Sequence, residues 1–165
     1  MKNVYKFLLS TAIFFVLLSL TSVDVLYGQR TDFYWSGSSS SSDNIDQDGN
    51  WFDGPAHPSS GDNLYFNNTA GLRHWPYSNY GTGSWFGYII TYNNAGGIKW
   101  RGDKTSAYKF ENFSDGNLFE IEANIGNRAG SDLEINPVGV GGIKVTGSIE
   151  IEANKNIKVY GTKKH

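Results

Sequence analysis

The sequence predicts an all-β chain built as a β-solenoid, and three features point there. The stretch Phe119-Glu-Ile-Glu-Ala-Asn124 returns as Ile149-Glu-Ile-Glu-Ala-Asn154 thirty positions later. The form Ile-Lys-(aromatic or Val)-x-Gly occurs at Ile98, Ile143 and Ile157. No segment after the first 28 residues holds a 3.6-residue apolar period, whereas short alternating runs bounded by Gly, Asn, Asp or Ser recur throughout. Recurrence of this kind marks stacked β-repeats, in which one coil buries its apolar edge only against the next. The alternative is an antiparallel β-sandwich, because hydrophobic alternation has few solutions and strands resemble one another for that reason alone.

Taken in order, Lys2 and Lys6 precede the apolar run 7–20 and a more polar stretch ending at Gly28-Gln29, the layout of a signal peptide over 1–28. The run is too short, and too interrupted by Ser10, Thr11 and Ser19, for a membrane anchor, which takes about 20 apolar residues. The chain is therefore expected to be secreted or held at the cell surface, with no membrane segment after cleavage. It has no cysteine, so it must rely on packing and backbone hydrogen bonds rather than disulfides. Its net charge is −2, and removing 1–28 takes away Lys2, Lys6 and Asp24. That balance excludes a nucleic-acid partner, which needs a concentrated basic patch.

Residues 29–50 contain Gly37, the run Ser38 to Ser42 and Asp43-Asn-Ile-Asp-Gln-Asp48-Gly49, and read as a flexible segment too polar to pack. Residues 51–97 form an aromatic-rich cap with the first strands. Here lie a strand at 64–66 and the rings Trp75, Tyr77, Tyr80, Trp85, Phe86, Tyr88 and Tyr92 among Gly81, Gly83, Gly87, Gly96 and Gly97. Residues 98–165 form the coils, and strands are expected at 88–92, 98–100, 108–110, 118–123, 133–135, 143–145, 149–153 and 157–160. Alternation places Glu120, Glu122, Glu150 and Glu152 on the water side. Glu120 directly above Glu150 would be repulsive, so 133–135 is the expected intervening strand. The fourteen-residue interval between Ile143 and Ile157 leaves a coil shorter than thirty open.

The N-terminal third resembles the opening of bacterial proteins with autotransporter-associated β-strand repeats, through Tyr34-Trp35-Ser36-Gly37, Gly49-Asn50-Trp51 and Pro58-Ser-Ser-Gly61-Asp62-Asn-Leu-Tyr-Phe66. The resemblance implies a right-handed parallel β-helix of passenger type, secreted or surface-displayed and adhesin-like, with no catalytic residues to carry over. Without a C-terminal barrel within the sequence, the expectation is a truncated passenger or a short paralogue.

Several motifs suggest chemistry. Asn44-Ile-Asp46-Gln-Asp48-Gly49 matches the first half of a calcium loop, but position twelve falls on Pro55 where a bidentate Glu belongs, so the segment reads as a turn. Trp75, Tyr77, Tyr80 and Trp85 are candidates for carbohydrate binding, since flat rings suit sugar faces, while the same rings would equally close the end of a solenoid. His57, His74 and His165 make no metal-ligand pair, Gly81-Thr-Gly83 and Gly139-Val-Gly141 open no phosphate-binding helix, and no nucleophile elbow is present. Asp103, Asp115 and Asp132 are the candidates for a polysaccharide lyase or hydrolase, but each sits in a turn-like context.

The expected function is that of a structural or adhesive scaffold without enzymatic activity or cofactor. A carbohydrate-binding module is the first alternative. Expected partners are surface glycans, or like chains meeting at an open solenoid end; the alternative to such association is that Lys163 and Lys164 act as charged guards of that edge.

Overall fold

The computed structural model describes residues 30–52, 56–67, 75–81, 84–92 and 96–161. The expected signal peptide and the positions of Pro55, His74, Lys163, Lys164 and His165 lie outside the described residues.

The described chain is all-β apart from one 3-10 turn, Asp48–Asn50. Its strands are β1 (Asp32–Tyr34), β2 (Asn63–Phe66), β3 (Tyr77–Ser78), β4 (Trp85–Thr91), β5 (Lys99–Gly102), β6 (Thr105–Asn112), β7 (Phe119–Ile121), β8 (Ile125–Asn127), β9 (Leu133–Pro137), β10 (Ile143–Val145), β11 (Ile149–Glu150) and β12 (Ile157–Val159). They stack in parallel as a β-solenoid of about four turns. An eight-stranded sheet runs β1-β2-β4-β6-β8-β11, with β9 and β12 continuing it beside β8 and β11, and a four-stranded sheet runs β3-β5-β7-β10. The antiparallel sandwich is not formed.

Register fixes the coil length. Leu64 lies beside Ile89, Ile89 beside Phe110, Phe110 beside Ile135 and Ile135 beside Val159. After a first turn of 31 residues, from Phe33 to Leu64, each turn takes between 20 and 25 residues, as the buried Thr91–Asn112 and the Asn63–Tyr88 hydrogen bonds also show. The thirty-residue spacing is not a coil. Phe119–Ile121 lies in the four-stranded sheet between β5 and β10, whereas Ile149–Glu150 lies in the eight-stranded sheet on β8. The two near-identical hexapeptides occupy different sides because every side of the solenoid asks for the same apolar–polar alternation. The strand expected between them, 133–135, belongs instead to the column Phe110–Ile135–Val159.

A bend shapes the long sheet. The fully buried apolar side chains are Phe86 and then Ile89 in β4, and Ala107 and then Phe110 in β6, a one-residue slip of the two-residue period that turns the strand through a corner. One turn later the chain breaks there: β8 and β9 pair with the two halves of β6, separated by residues 128–132. Asn127 steadies that turn by donating to the carbonyls of Arg128 and Ser131.

Aromatic residues fill the interior. Trp35, Phe66 and Trp100 follow one another with centroids 5.7 and 5.8 Å apart, and Phe86 meets Trp100 at 6.3 Å. Of the buried indoles, Trp51 Nε1 donates to the Ile45 carbonyl at 2.8 Å, and Trp100 Nε1 to Thr105 Oγ1 at 3.1 Å. At one corner Asn112 accepts from Thr91 Oγ1 and the Ser114 amide and donates to the carbonyls of Asn117 and Gly142. At another, Gly102 has φ +98 and a Cβ there would lie 2.2 Å from the Ser78 carbonyl oxygen, so only glycine fits.

Residues 30–50 pack against the rest of the fold. β1 begins the long sheet, Ile45 is fully buried, and Asn44 bridges Tyr77 beside the four-stranded sheet. Short polar residues let this happen because their side chains bind local backbone. Asn50, also fully buried, donates to the carbonyls of Ser42 and Asn44 and accepts from the Ser39 amide. Asp62 accepts from the amides of Thr31 and Ser59. Trp35 and Trp51 meet edge to face at 5.1 Å and form an antiparallel bridge across the outer edge of β1. The Trp-x-Gly, Asn-Trp and Gly-Asp motifs are thus the parts that close the N-terminal end. The rings from Trp75 to Trp85, expected to do so, lie on the flanks.

Candidate functional site

The outward side of the solenoid carries columns of alternating charge, because residues in register across parallel strands point the same way. On the four-stranded sheet Lys99, Glu120 and Lys144 are aligned. Lys99 Nζ lies 3.1 Å from Glu120 and 3.0 Å from Glu122, and Lys144 Nζ lies 2.7 Å from Glu120. Hydrogen bonds from Lys144 and then Lys99 hold the Glu120 carboxyl below its ordinary value, and those to Glu122 and Glu120 raise Lys99. On the long sheet the column is Tyr88, Lys109, Glu134 and Lys158. Lys109 pairs with Glu134 at 3.2 Å, and Lys158 with Asp132 at 3.0 Å, which lowers Asp132.

The four candidate carbohydrate residues do not form one platform. Trp75 and Tyr77 stand together on the four-stranded sheet, 53% and 40% exposed, and share Arg101, whose guanidinium lies 5.6 Å from one ring and 5.9 Å from the other. Lys99 also lies 5.9 Å from the Trp75 ring. Arg101 is anchored by Asp43 at 3.0 Å and by the Trp75 carbonyl at 2.8 Å. Tyr80 is a packing residue: its hydroxyl donates to the Pro58 carbonyl, its ring meets Phe86 edge to face, and burial pushes its phenol well above the ordinary range. Trp85 lies on the long sheet with the Arg128 guanidinium 3.6 Å from its ring centre and Tyr108 edge on. Trp75 and Tyr77 are therefore the pair with accessible faces.

Sequence reading missed the cations that accompany the rings. The signal was present in Ile98-Lys-Trp-Arg, where alternation places Lys99 and Arg101 on the outward side beside Trp75 and Tyr77. It also missed a run of stacked rings along the axis. Tyr34, Tyr65, Tyr92 and Phe113 follow at 5.0, 6.4 and 5.3 Å, with interplanar angles of 20, 13 and 12°. Burial, and then Asp32, pushes the Tyr65 phenol up to about 12.

The residues weighed for metal or catalytic work are engaged in local pairs. Asp48 sits 2.7 Å from His57 Nδ1, and Asp103 accepts from the Gly81 amide at 2.8 Å. The described residues include no group of three or more His, Asp or Glu able to hold a metal ion.

The last rung differs from all others. Inward residues of the middle strands, such as Phe86, Phe110, Phe119 and Leu133, are fully buried, but Val159 is 68% and Ile157 42% exposed. Ile143, Val145 and Ile151 are only partly covered. Among the described residues nothing lies over the outer edges of β10, β11 and β12. Comparison of the chain with known protein families, curated proteins and solved structures finds no match.

Proposed function

We propose that this chain is a secreted or cell-surface scaffold of adhesive type, of the passenger kind that its N-terminal motifs resemble, without catalytic activity. The observation that carries the reading is the fold: a β-solenoid of about four turns, with apolar side chains stacked inside and charged side chains paired outside, suits a structural or adhesive scaffold. The outward carboxylates support it. Glu120 and Asp132 are held in ion pairs below their ordinary values, whereas a general acid working near neutrality needs its proton held more tightly.

Export is tested by expressing the full chain in a bacterial host, fractionating the cells and sequencing the N-terminus of the product. A species outside the cytoplasm beginning near Gln29 is expected. Cytoplasmic retention with residues 1–28 intact would refute export.

A second reading, a carbohydrate-binding module, is favoured by one observation: Trp75 and Tyr77 offer adjacent exposed rings beside Lys99 and Arg101. A glycan array separates the two. Retention on a sugar that disappears in Trp75→Ala supports the module, while indifference to every glycan supports the scaffold.

A further inference from the structure

Two arginines at the corner of the long sheet are held by aromatic rings rather than by carboxylates. We propose that Arg30 and Arg128 form a binding site for a sugar polymer that carries oxyanions, carboxylate or sulfate. The site is built on β4 and β6, interior strands of the long sheet, and on the turn after β8. It is separate from the Trp75–Tyr77 pair on the four-stranded sheet.

Gly87 makes the first arm of the site. It stands between the aligned pairs Phe86–Ala107 and Tyr88–Lys109, and a Cβ there would lie 3.3 Å from Arg30 Cδ. The Arg30 stem therefore crosses β4 where that strand has no side chain. Its guanidinium carbon comes to 4.6 Å from the centre of the Tyr108 ring and 5.3 Å from that of Tyr88. The next residue is fixed, since the Thr31 amide donates to Asp62 and the Thr31 carbonyl accepts from the Asn63 amide. The second arm leaves the broken corner. Arg128 lies 3.6 Å from the Trp85 ring centre and 5.0 Å from that of Tyr108, and donates to the Tyr108 hydroxyl. Two guanidinium groups thus share one phenol ring.

The other cations of this surface are already neutralised. Lys104 pairs with Glu150, Lys109 with Glu134 and Lys158 with Asp132. Among the described residues Arg30 and Arg128 form no ion pair, and their charges rest on rings instead. A ring attracts a cation through its face and does not consume the in-plane N–H donors. Those donors form the fork that takes two oxygens of one oxyanion. Both arginines are half-buried, held in place yet still reached by solvent.

Each arginine lines a hollow in the outer surface. Arg128 shares one of about 500 Å³ with Trp85, Ser106 and Asn127, and Arg30 shares one of about 560 Å³ with Tyr88, Tyr108 and Ser131. Such volumes are those of small-ligand sites. Two forks around one ring call for a ligand with more than one anion, and the neighbouring rings, hydroxyls and amide suit the sugar units between them. Asp132, Glu134 and Glu150 border the same hollows. They accept hydrogen bonds from sugar hydroxyls but oppose a chain as densely charged as a nucleic-acid backbone.

The test uses the purified chain and short labelled pieces of three polymers: polygalacturonate with its carboxylates, dextran sulfate, and uncharged dextran. Fluorescence anisotropy is expected to show at least one acidic polymer binding about tenfold more tightly than dextran. Preference for polygalacturonate assigns the carboxylate and preference for dextran sulfate the sulfate. The doubly substituted chain Arg30→Gln, Arg128→Gln, with an unchanged circular dichroism spectrum and melting temperature, should bind the acidic polymer no better than dextran. Trp75→Ala should leave the preference intact. If the double substitution lowers the melting temperature, Arg128→Lys decides, because it keeps the charge and loses the fork; its affinity should fall about threefold or more. Equal affinities for the three polymers, binding of none, a preference that survives loss of the forks, or one abolished by Trp75→Ala would overturn the proposal.

Discussion

The first and the last described rungs of the solenoid differ in how they are covered. At the N-terminal end the outer edge of β1 is covered by residues 50–52, Trp35 and Trp51 sit edge to face, and Asn50 ties three backbone groups of the serine-rich segment. At the other end β10, β11 and β12 carry apolar residues into solvent. The comparison teaches that closing a parallel ladder does not require many apolar residues. A few indoles and one well-placed amide are sufficient when the intervening segment is short-chained enough to bend back on itself.

The contrast is broken most directly by truncating one apolar side chain at each end. Trp51→Ala removes a ring that is 4% exposed, together with the indole donor to Ile45, and should cost about 3–5 kcal/mol. Val159→Ala, at a position 68% exposed, should change stability by no more than about 0.5 kcal/mol. Urea unfolding midpoints measure both. Comparable losses would mean that the last rung is covered in solution.

A smaller effect sharpens the account of the closed end. Asn50→Ala leaves the Ser39 amide and the carbonyls of Ser42 and Asn44 without their partner and should cost about 2 kcal/mol. Asn50→Asp should not restore the loss, because a carboxylate accepts but cannot donate to those carbonyls. Recovery with aspartate would show that the amide's donors are dispensable.

The smallest effects separate the ends by pH. Tyr65, near the closed end, ionises at about 12 against an ordinary 10.0. Its contribution to stability is intact below pH 10.0 and is lost as pH climbs through the raised value. Asp132, beside the open rung, is held below its ordinary 3.8 by Lys158. Its contribution is intact above 3.8 and is lost as pH falls through the lowered value. Unfolding midpoints measured across pH should show Tyr65→Phe flattening the alkaline fall and Lys158→Met flattening part of the acid one. If each substitution leaves its limb unchanged, these groups are not the ones linked.

Much of the fold was legible because each strand follows a two-residue period that survives in isolation, as in Ile143-Lys-Val and Ile157-Lys-Val. Coil length was not. Three sides demand the same alternation, so resemblance between two strands cannot say whether they share a side, and the hexapeptides at 119 and 149 do not. By contrast, Ile98-Lys99-Trp100 and Ile143-Lys144-Val145 do share a column, two rungs apart with Phe119-Glu120-Ile121 between them. β1, β3 and β8 escaped notice because Asp32-Phe-Tyr34, Tyr77-Ser78 and Ile125-Gly-Asn127 do not place two apolar residues at alternate positions. Among the candidate rings, Trp75 and Tyr77 were legible as exposed aromatics. The burial of Tyr80 and the covering of Trp85 depend on Pro58 and Arg128, which arrive from elsewhere in the chain. No local pattern announces such neighbours.

The broken corner at residues 128–132 has a practical consequence. β4 and β6 run unbroken through the bend, so lengthening the chain at Gly87 or Tyr108 would disturb backbone pairing on both sides. Between β8 and β9 the ladder is already interrupted, and extra residues there would project outward as a loop whose closure costs only about 0.6 kcal/mol for each doubling of its length. That corner is the natural graft point, where the molecule could display a foreign peptide without rewriting any rung.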